Sequence, residues 1–352
     1  MQHAATDTTA AEWGTQITSF DLADPAAPVR RDSVFLGGWA NAVTATDRFF
    51  LVAKYAEFSG AWSHNTIDLI DISAPNGAMK RAGQATVEGN IAGKFDMNID
   101  GDVLTAVAQV WGPFFDSATI DLVFRPSVFT KLQTFSIADP NAPVALGSLV
   151  IAPGETERAT RFDAGRAYVV TFRQIDPLFV VDLKDPKNPT ISGHVEADGF
   201  STYIEPLGDR LVTIGLVEWQ PAVSLFDVSD PAVPKLLSQI KLGTAKGWSS
   251  SEAVWNEKAF KVIPEKNLIL VPVSASDENQ GWFSSVQLVD LLPDSLVKRG
   301  AIQHEFSPRR ATLVNGNVVA ISQSRLVTVD AANRDNPIVI AEIGRASCRE
   351  RV

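Results

Sequence analysis

The chain has 352 residues, 45% of them apolar, and a formal net charge of −10. Its basic residues are scattered, so the clustered basic face of a nucleic-acid-binding protein is missing, and no nucleic-acid partner is expected. No apolar run reaches the roughly 18 residues that a membrane-spanning helix needs. The length allows either two or three ordinary domains or one repeat array.

Both ends of the chain are predicted to lie outside the folded region, which we place at residues 16–342. Residues 1–15 are polar and lack the apolar h-region of a signal peptide. Residues 343–352 read like the in-frame translation of a sequencing adapter, so we expect the natural reading frame to have been cut there. The single cysteine, Cys348, falls in this tail. We therefore predict neither a disulfide nor a thiolate metal site.

One motif returns seven times along the chain: an apolar strand, an acidic or small polar anchor, and a Pro-rich turn. The copies span residues 17–28, 66–75, 132–143, 178–189, 223–234, 286–295 and 326–337. Their anchors are Asp21, Asp71, Ser136, Asp182, Asp227, Asp290 and Asp330. An anchor carboxylate accepts hydrogen bonds from nearby backbone N–H groups, and the following proline ends the strand. We interpret the anchors as turn formers, because seven equivalent carboxylates spread along a repeat do not make one active site.

The intervals between anchors carry two apolar runs joined by a tight turn. Turn residues typical of hairpins occur at Asp163-Ala164-Gly165, Gly208-Asp209 and Asn315-Gly316-Asn317. We predict a unit made of the strand after the Pro-rich turn, a hairpin and the motif strand. A four-stranded unit that recurs about every 45 residues, with longer insertions, is typical of a β-propeller blade.

The sequence therefore predicts an all-β fold, a β-propeller of four-stranded blades. It gives six complete units, a leftover motif strand at residues 16–22 and a leftover strand at residues 337–343. We expect these two strands to belong to a seventh, truncated blade. The natural ring would then have seven blades, or eight if further blades precede residue 1, and the full-length protein would be a monomer.

Residues 147–273 resemble the secreted bacterial and archaeal β-propeller domain family, which is distantly related to WD repeats. The resemblance is carried by APGE (152–155), YVVTFRQIDPLFVVDL (168–183), GFSTY (199–203) and SEAVWNEKAF (251–260). The Asp-Pro turns are similar to those of LVIVD-type surface repeats. The family usually has Asp-His before Lys-Ala-Phe, whereas Asn256-Glu257 stand there in this chain. The resemblance implies an extracytoplasmic protein and no established enzymatic activity.

The segment DMNIDGD (96–102) imitates the beginning of a calcium-binding loop. A calcium site would use Asp96, Asn98, Asp100 and Asp102, and calcium is the one cofactor that the sequence suggests. Val107 occupies the position of the usual bidentate glutamate, and Asp100-Gly101 is equally suited to a hairpin turn. The turn is our preferred interpretation. The four histidines, His3, His64, His194 and His304, lack the spacing of a zinc site.

Polar and aromatic residues around the variable loops are the candidate binding residues. Arg173 and Asp176 would either brace adjacent blades as an ion pair or join a polar cluster at the mouth of the ring. Tryptophans in these loops would either pack blades together or contact sugars or proteins. The candidates are Glu155, Arg158, Arg161, Arg173, Asp176, Tyr203, Glu252, Lys258, Trp62, Trp111, Trp219 and Trp282.

We consequently predict a non-catalytic extracytoplasmic module that binds a protein or polysaccharide partner. The alternative is a propeller hydrolase or lyase with a polar site at the central channel. No G-x-S-x-G motif, phosphate-binding glycine loop or evident Ser-His-Asp arrangement occurs in the sequence. A convergent cluster of acids and a base at one mouth of the channel, with strongly shifted pKa values, would favour the enzyme.

Overall fold

The computed structural model describes residues 2–3, 12–55, 64–116, 121–172, 176–244, 247–277 and 281–344. The chain divides into two compact units, residues 1–173 with 181–192 and residues 174–180 with 193–352. The strands within these ranges form seven antiparallel sheets in chain order, and the predicted all-β architecture of repeated four-stranded sheets is confirmed.

The first three sheets lie in the first unit, and the fourth follows them along the chain. The first contains β1 (Gln2–His3), β2 (Glu12–Asp21) and β3 (Val29–Gly37). The second contains β4 (Ala40–Ala45), β5 (Phe49–Tyr55), β6 (His64–Asp71) and β7 (Lys80–Glu88). The third contains β8 (Met97–Asp100), β9 (Val103–Asp116), β10 (Asp121–Ser136) and β11 (Val144–Pro153). The fourth contains β12 (Thr156–Asp163), β13 (Arg166–Phe172), β14 (Asp176–Asp182) and β15 (Thr190–Ala197).

The fifth, sixth and seventh sheets lie in the second unit. The fifth contains β16 (Phe200–Leu207), β17 (Arg210–Val217), β18 (Gln220–Asp227) and β19 (Lys235–Lys241). The sixth contains β20 (Trp248–Ser250), β21 (Lys261–Ile263), β22 (Leu268–Asp277), β23 (Gly281–Leu291) and β24 (Leu296–His304). The seventh contains β25 (Arg310–Val314), β26 (Asn317–Ile321), β27 (Arg325–Asp330) and β28 (Ile338–Gly344).

Helical structure in the described residues is limited to single 3₁₀ turns. They span Lys94–Asp96, Glu252–Val254, Glu257–Ala259 and Pro264–Lys266. None of these turns has the length or the apolar character that crossing a bilayer would require.

The strand that follows each Pro-rich turn closes a sheet instead of opening the next one. The short turn folds the chain directly back, so its two flanking strands become antiparallel neighbours. Residues 337–343 are therefore not a leftover strand: β28 pairs with β27 and completes the seventh sheet. Likewise, the motif strand at residues 16–22 lies in β2 and pairs with β3. The last two residues of β28, Ile343 and Gly344, belong to the predicted tail.

The predicted anchor turns form through side-chain acceptors. The Asp71 carboxylate accepts the N–H of Ser73 at 2.9 Å, and Asp227 accepts that of Ser229 at 3.0 Å. Hydrogen bonds with Ser73 and Ser229 are the largest influences holding the pKa of these two aspartates below the usual range. Asp21, Asp182, Asp330 and the Ser136 hydroxyl accept backbone N–H groups in the same way. The carboxylate of Asp290 accepts a hydrogen bond from the guanidinium of Arg334.

Glycine in the closing strand allows the turn of the following sheet to approach. A Cβ on Gly147 would lie 2.4 Å from the carbonyl oxygen of Lys187, and one on Gly300 would lie 2.5 Å from that of Asp335. The Gly300 N–H donates to the Arg334 carbonyl at 2.9 Å. Neighbouring sheets are thus joined through backbone contact, which a side chain at either glycine would obstruct.

Each unit has an apolar core between consecutive sheets. In the first unit, Leu51, Leu69 and Leu104 belong to one buried cluster that joins the second and third sheets. In the second unit, Ile214 and Val271 belong to a cluster that joins the fifth and sixth sheets. Burial of each such side chain contributes about 1.5–3 kcal/mol. The predicted alternation of the strands therefore places apolar residues between sheets.

Candidate functional site

The predicted tryptophans remain exposed at the ends of their sheets. Trp111, Trp219 and Trp282 are 56%, 81% and 60% exposed, and Trp62 lies outside the described residues. Trp111 and Trp282 lie in strands, not in loops, because the strands on either side of these loops extend past the rest of the sheet. Trp219 occupies the two-residue turn between β17 and β18 with a φ of 65°. Exposure leaves all three available for contact with a partner.

Trp282 forms a stacked pair with Trp248. The two indole centroids are 5.1 Å apart and the ring planes differ by 22°. Trp248 of β20 and Trp282 of β23 are both in register with Ser276 of the intervening β22. Because the serine side chain is small, the two rings can meet above the central strand. The result is an exposed aromatic platform that is held by the sheet itself.

A row of serines lies two residues from this platform on the same face. Ser250, Ser274 and Ser284 are in register across β20, β22 and β23. Side chains two residues apart on a strand point to the same side of the sheet, about 7 Å apart. The Ser274 hydroxyl is 3.1 Å from that of Ser284 and 2.9 Å from that of Ser307. Ser274 and Ser284 are 7% and 1% exposed, so the hydroxyl row continues from the aromatic platform as a mostly buried part of the sheet.

The serine row borders a cavity of about 370 Å³ in the second unit. Its lining residues are Ser250, Glu252, Pro272, Val273, Ser274, Phe306, Ser307, Pro308, Arg309 and Gln323. A cavity of this size is large enough for a small ligand, and a few convergent polar groups beside apolar walls are typical of such sites. The Trp248–Trp282 platform, the serine row and this cavity are called the tryptophan–serine site below.

Glu252 and Arg309 provide opposite charges in the cavity. The Arg309 Nη1 atom lies 3.4 Å from Glu252 Oε1, and Asn256 Nδ2 donates to the same oxygen at 3.2 Å. Their side chains are 33% and 48% exposed, respectively, so both also face solvent. Both contacts to the carboxylate are long. The pair can therefore accept a ligand hydroxyl at Glu252 and donate to one from Arg309.

Two other candidates of the second unit lie apart from the lining of the cavity. The Tyr203 hydroxyl donates to Glu205, and its ring packs edge-on against Phe260 at 6.2 Å, which places Tyr203 against the apolar core. Lys258 is exposed on the 3₁₀ turn Glu257–Ala259. Sequence reasoning treated these residues together with Glu252, but only Glu252 lines the cavity.

His304 lies next to the serine row and is buried. It is in register with Ser284 and only 6% exposed. Within the described part of the chain, neither of its ring nitrogens has a hydrogen-bond partner. Burial lowers the pKa of His304, the charge of Arg325 adds to that effect, and Glu342 opposes it. The imidazole is therefore kept neutral next to the hydroxyl row.

In the first unit, the candidates Glu155, Arg158 and Arg161 lie in or beside β12. The Glu155 carboxylate accepts the Thr171 hydroxyl at 2.5 Å. The guanidinium of Arg158 lies 5.0 Å from the ring centre of Phe172, and that of Arg161 lies 4.6 Å from Phe95. Through these cation–π contacts, each arginine links β12 to a neighbouring element. Arg173 and the side chain of Asp176 lie outside the described residues, so the predicted ion pair stays a prediction.

A carboxyl pair that the sequence did not indicate lies in the same region. Asp96 is 4% exposed, and its Oδ2 atom accepts the Gly93 N–H at 2.7 Å. Thr160 donates to Glu157 Oε1 at 3.1 Å and also hydrogen-bonds to Asp96. Burial raises the pKa of Asp96 to about 6. Burial and the charge of Asp96 together raise the pKa of Glu157 well above its usual range.

The four oxygen ligands of the hypothetical calcium loop are not brought together. Asp96 is buried beside Glu157 and Thr160, whereas Asp100 and Asp102 are exposed where β8 turns into β9. Asp100 pairs with Val103, so Gly101 and Asp102 form a two-residue hairpin turn, as our preferred interpretation predicted. Among the described residues, no group of three or more histidine, cysteine, aspartate or glutamate side chains could hold a metal ion.

The sequence indicated Trp282 and Glu252, which lie at opposite ends of the tryptophan–serine site, but it did not indicate that they belong to one site. Trp282 and Glu252 were selected individually, from their types and loop positions. Their connection depends on strand register, which places β20 beside β22 and β22 beside β23. The available signal was the recurrence of small hydroxyl residues at alternate positions, Ser274 and Ser276 in one strand and Ser284 in the next.

Comparison with known proteins gives the family and little about activity. The chain is 31% identical over 189 residues to an uncharacterized protein of Methanocaldococcus jannaschii, which covers 51% of this chain and 27% of that protein. It is 32% identical over 141 residues to an uncharacterized protein of Archaeoglobus fulgidus, which covers 40% of this chain and 22% of that protein. The matched segments thus span about a quarter of these two relatives.

A solved Bacteroides uniformis protein, provisionally named 6-phosphogluconolactonase, has a TM-score of 0.49 and 12% sequence identity with this chain. The match covers 90% of this chain and 88% of that one. The family model described as the beta propeller domain matches residues 3–334, nearly the whole chain. Together with the repeated four-stranded sheets, this match shows that the chain belongs to the beta propeller domain family.

Proposed function

We propose that this protein is a non-catalytic binding module whose partner is a polysaccharide, held at the tryptophan–serine site. The observation that carries the proposal is the Trp248–Trp282 stack, in which two rings more than half exposed are fixed above one strand. Such a large aromatic surface is costly to keep in water unless it serves a contact. An extended sugar offers what this surface lacks, an apolar ring face next to hydroxyl groups.

The serines strengthen the case for a sugar over a protein partner. Protein interfaces are centred on desolvated anchors that enter pockets. Here the aromatic platform is followed by the hydroxyls of Ser250, Ser274 and Ser307, which can donate and accept hydrogen bonds. Sugar hydroxyls require that mixed capacity. A protein partner remains the competing outcome of the test.

Retention on polysaccharides tests the proposal. We expect the wild-type protein to be pulled down by insoluble cellulose or chitin, or to be slowed in gels that contain soluble mixed-linkage β-glucan. Trp282→Ala and Trp248→Ala should each weaken retention by about fivefold or more, since loss of one stacking ring corresponds to about 1–3 kcal/mol. Melting temperature should be unchanged, because both side chains are exposed.

Trp255→Ala is the matched control, since Trp255 is 75% exposed in the same unit but is not part of the stack. Its retention should equal that of the wild type. Retention by none of the three polysaccharides, or an equal loss in the Trp255 variant, would show that the platform is not a sugar-binding surface.

We further propose that the protein works outside the cytoplasm. Support comes from the resemblance to secreted propellers that residues 147–273 carry. Protease treatment of intact cells that express the natural full-length protein tests the location. Digestion of the propeller is expected, and full protection while cells stay intact would contradict an extracytoplasmic position.

A hydrolase or lyase is the second candidate, favoured by the Asp96–Glu157 pair. Two carboxyl groups with raised pKa values are suited to general acid–base work, because one can carry the proton that the other lacks. The near-complete burial of Asp96 argues against substrate access. Release of reducing ends from β-glucan, abolished by both Asp96→Asn and Glu157→Gln, would establish this activity. Absence of any release would leave the binding function as the better account.

A further inference from the structure

The residues that line the cavity beside the tryptophan platform are suited to binding one sugar unit. Ser250 and Ser274 belong to both features: they line the cavity and lie one strand repeat from Trp248 and Ser276. A ligand that stacks on the indoles can therefore continue into the cavity without leaving the sheet surface. Both features lie within the sixth sheet and the loop that follows it, and they adjoin at Ser250 and Ser274.

The polar lining is balanced in charge and rich in hydroxyl-binding capacity. Glu252 supplies a carboxylate and Arg309 supplies a guanidinium that already neutralises it. Ser307 and Gln323 add groups that both donate and accept. This composition suits a neutral polyol, since an anionic sugar would meet the Glu252 charge and a cationic one the Arg309 charge.

The apolar part of the lining gives the cavity a second stacking wall. Phe306 is 49% exposed, and Pro308 lies beside it in the loop after β24. A pyranose ring placed between this wall and the serine row could direct its hydroxyls to Glu252 and Arg309. The volume of about 370 Å³ suits a small group, such as the terminal unit of a chain that lies on the platform.

We infer that the cavity binds the terminal sugar of a neutral polysaccharide, while the adjoining units of that chain stack on Trp248 and Trp282. This inference rests on the proposed polysaccharide-binding function and adds recognition of chain ends. It distinguishes the tryptophan–serine site from a flat platform, which would bind any internal stretch of the chain equally well.

Chain-end dependence gives the first test. Mixed-linkage β-glucan and a partially hydrolysed sample of it, at equal mass, are titrated with the wild-type protein. The hydrolysed sample, which has more ends, should bind more protein in proportion to its ends, and cellohexaose should displace the protein from both. Binding that follows mass and is independent of chain ends would overturn the inference.

Cavity variants give the second test. Glu252→Gln should weaken the displacement by cellohexaose at least about tenfold, the effect of losing a charged hydrogen bond. Glu218→Gln is the control, since Glu218 is 80% exposed, pairs with Lys241 and lies outside the cavity lining. Unchanged displacement with Glu252→Gln would overturn the inference.

The experiments distinguish failure of chain-end recognition from failure of sugar binding. If retention depends on Trp282 but neither on chain ends nor on Glu252, the platform binds sugar and end recognition is wrong. If the wild-type protein binds neither β-glucan sample nor cellohexaose, cellulose and chitin, both proposals are wrong.

Discussion

The tryptophan–serine site and the Asp96–Glu157 pair place polar chemistry in opposite settings. In the first, hydroxyls and one ion pair line an open cavity next to rings that are more than half exposed. In the second, two carboxyl groups share the Thr160 hydroxyl, and Asp96 is 4% exposed. In the open region the Glu252–Arg309 pair and the two rings face solvent, whereas the closed region satisfies its polar groups internally.

This difference shows why a shifted pKa is not by itself a sign of function. Burial dominates the raised pKa of both carboxyl groups, and the charge of Asp96 raises the pKa of Glu157 further, so the pair responds to protons whether or not a substrate can reach it. The Glu252–Arg309 pair lies in the cavity that a ligand could enter. Access to solvent, more than titration, therefore separates the two regions as candidate sites.

The largest expected effect on stability comes from removing the charge of Asp96 in the buried Asp96–Glu157 pair. A pKa raised to about 6 means that ionised Asp96 is disfavoured in the folded state. Stability should fall as pH rises from about 4 to about 6 and stay low above that. Asp96→Asn should raise the free energy of unfolding at pH 8 by about 1–3 kcal/mol, since one pKa unit corresponds to about 1.4 kcal/mol.

Urea denaturation at pH 8 and pH 4.5 measures this change, with Asp100→Asn as the exposed control from the same segment. The Asp96 variant should be close to the wild type at pH 4.5, where the carboxyl group is protonated. An equal stability change at both pH values would mean that the substitution acts through packing and not through charge.

A smaller effect on stability is expected when the Thr160 hydroxyl, which the two carboxyl groups share, is removed. Thr160 is 3% exposed and donates to Glu157 at 3.1 Å. Thr160→Val should lower the free energy of unfolding by about 1–2 kcal/mol, because buried acceptors lose a donor. Thr160→Ser restores the hydroxyl and should recover most of the loss. If Ser and Val variants are equally destabilised, the methyl packing of Thr160 matters more than its hydrogen bond.

The smallest effect is expected at His304, where the pH dependence has the opposite sign. The pKa of His304 is lowered in the folded protein, so the unfolded chain binds the proton more readily. Stability around β24 should therefore fall slightly as pH drops below about 6.5, since burial and Arg325 lower the pKa of His304 while Glu342 opposes the shift. Hydrogen exchange of β24 peptides between pH 7 and 5 measures it. His304→Asn should abolish the dependence, and increased β24 protection in acid would contradict this assignment.

Local chemistry made much of the fold predictable. An anchor such as Asp71 needs only the N–H two residues ahead, and Asp163-Ala164-Gly165 needs only a positive φ at its last two residues, 48° and 72° here. Both depend on a few adjacent residues, so the repeat and its turns can be read from the sequence. The pairing of β28 with β27 was missed because the unit boundary was placed one strand too early.

The candidate sites depend on contacts that the sequence separates widely. Trp248 meets Trp282 only because Ser276 lies between them in register, and Asp96 meets Glu157 only because a 3₁₀ turn packs beside β12. The sequence by itself determined the repeated four-stranded architecture, since alternation and turn chemistry act over a few residues. Only the tertiary structure decided which tryptophan faces which serine and which carboxyl group is buried, because register and burial are set by the packing of strands far apart in the chain.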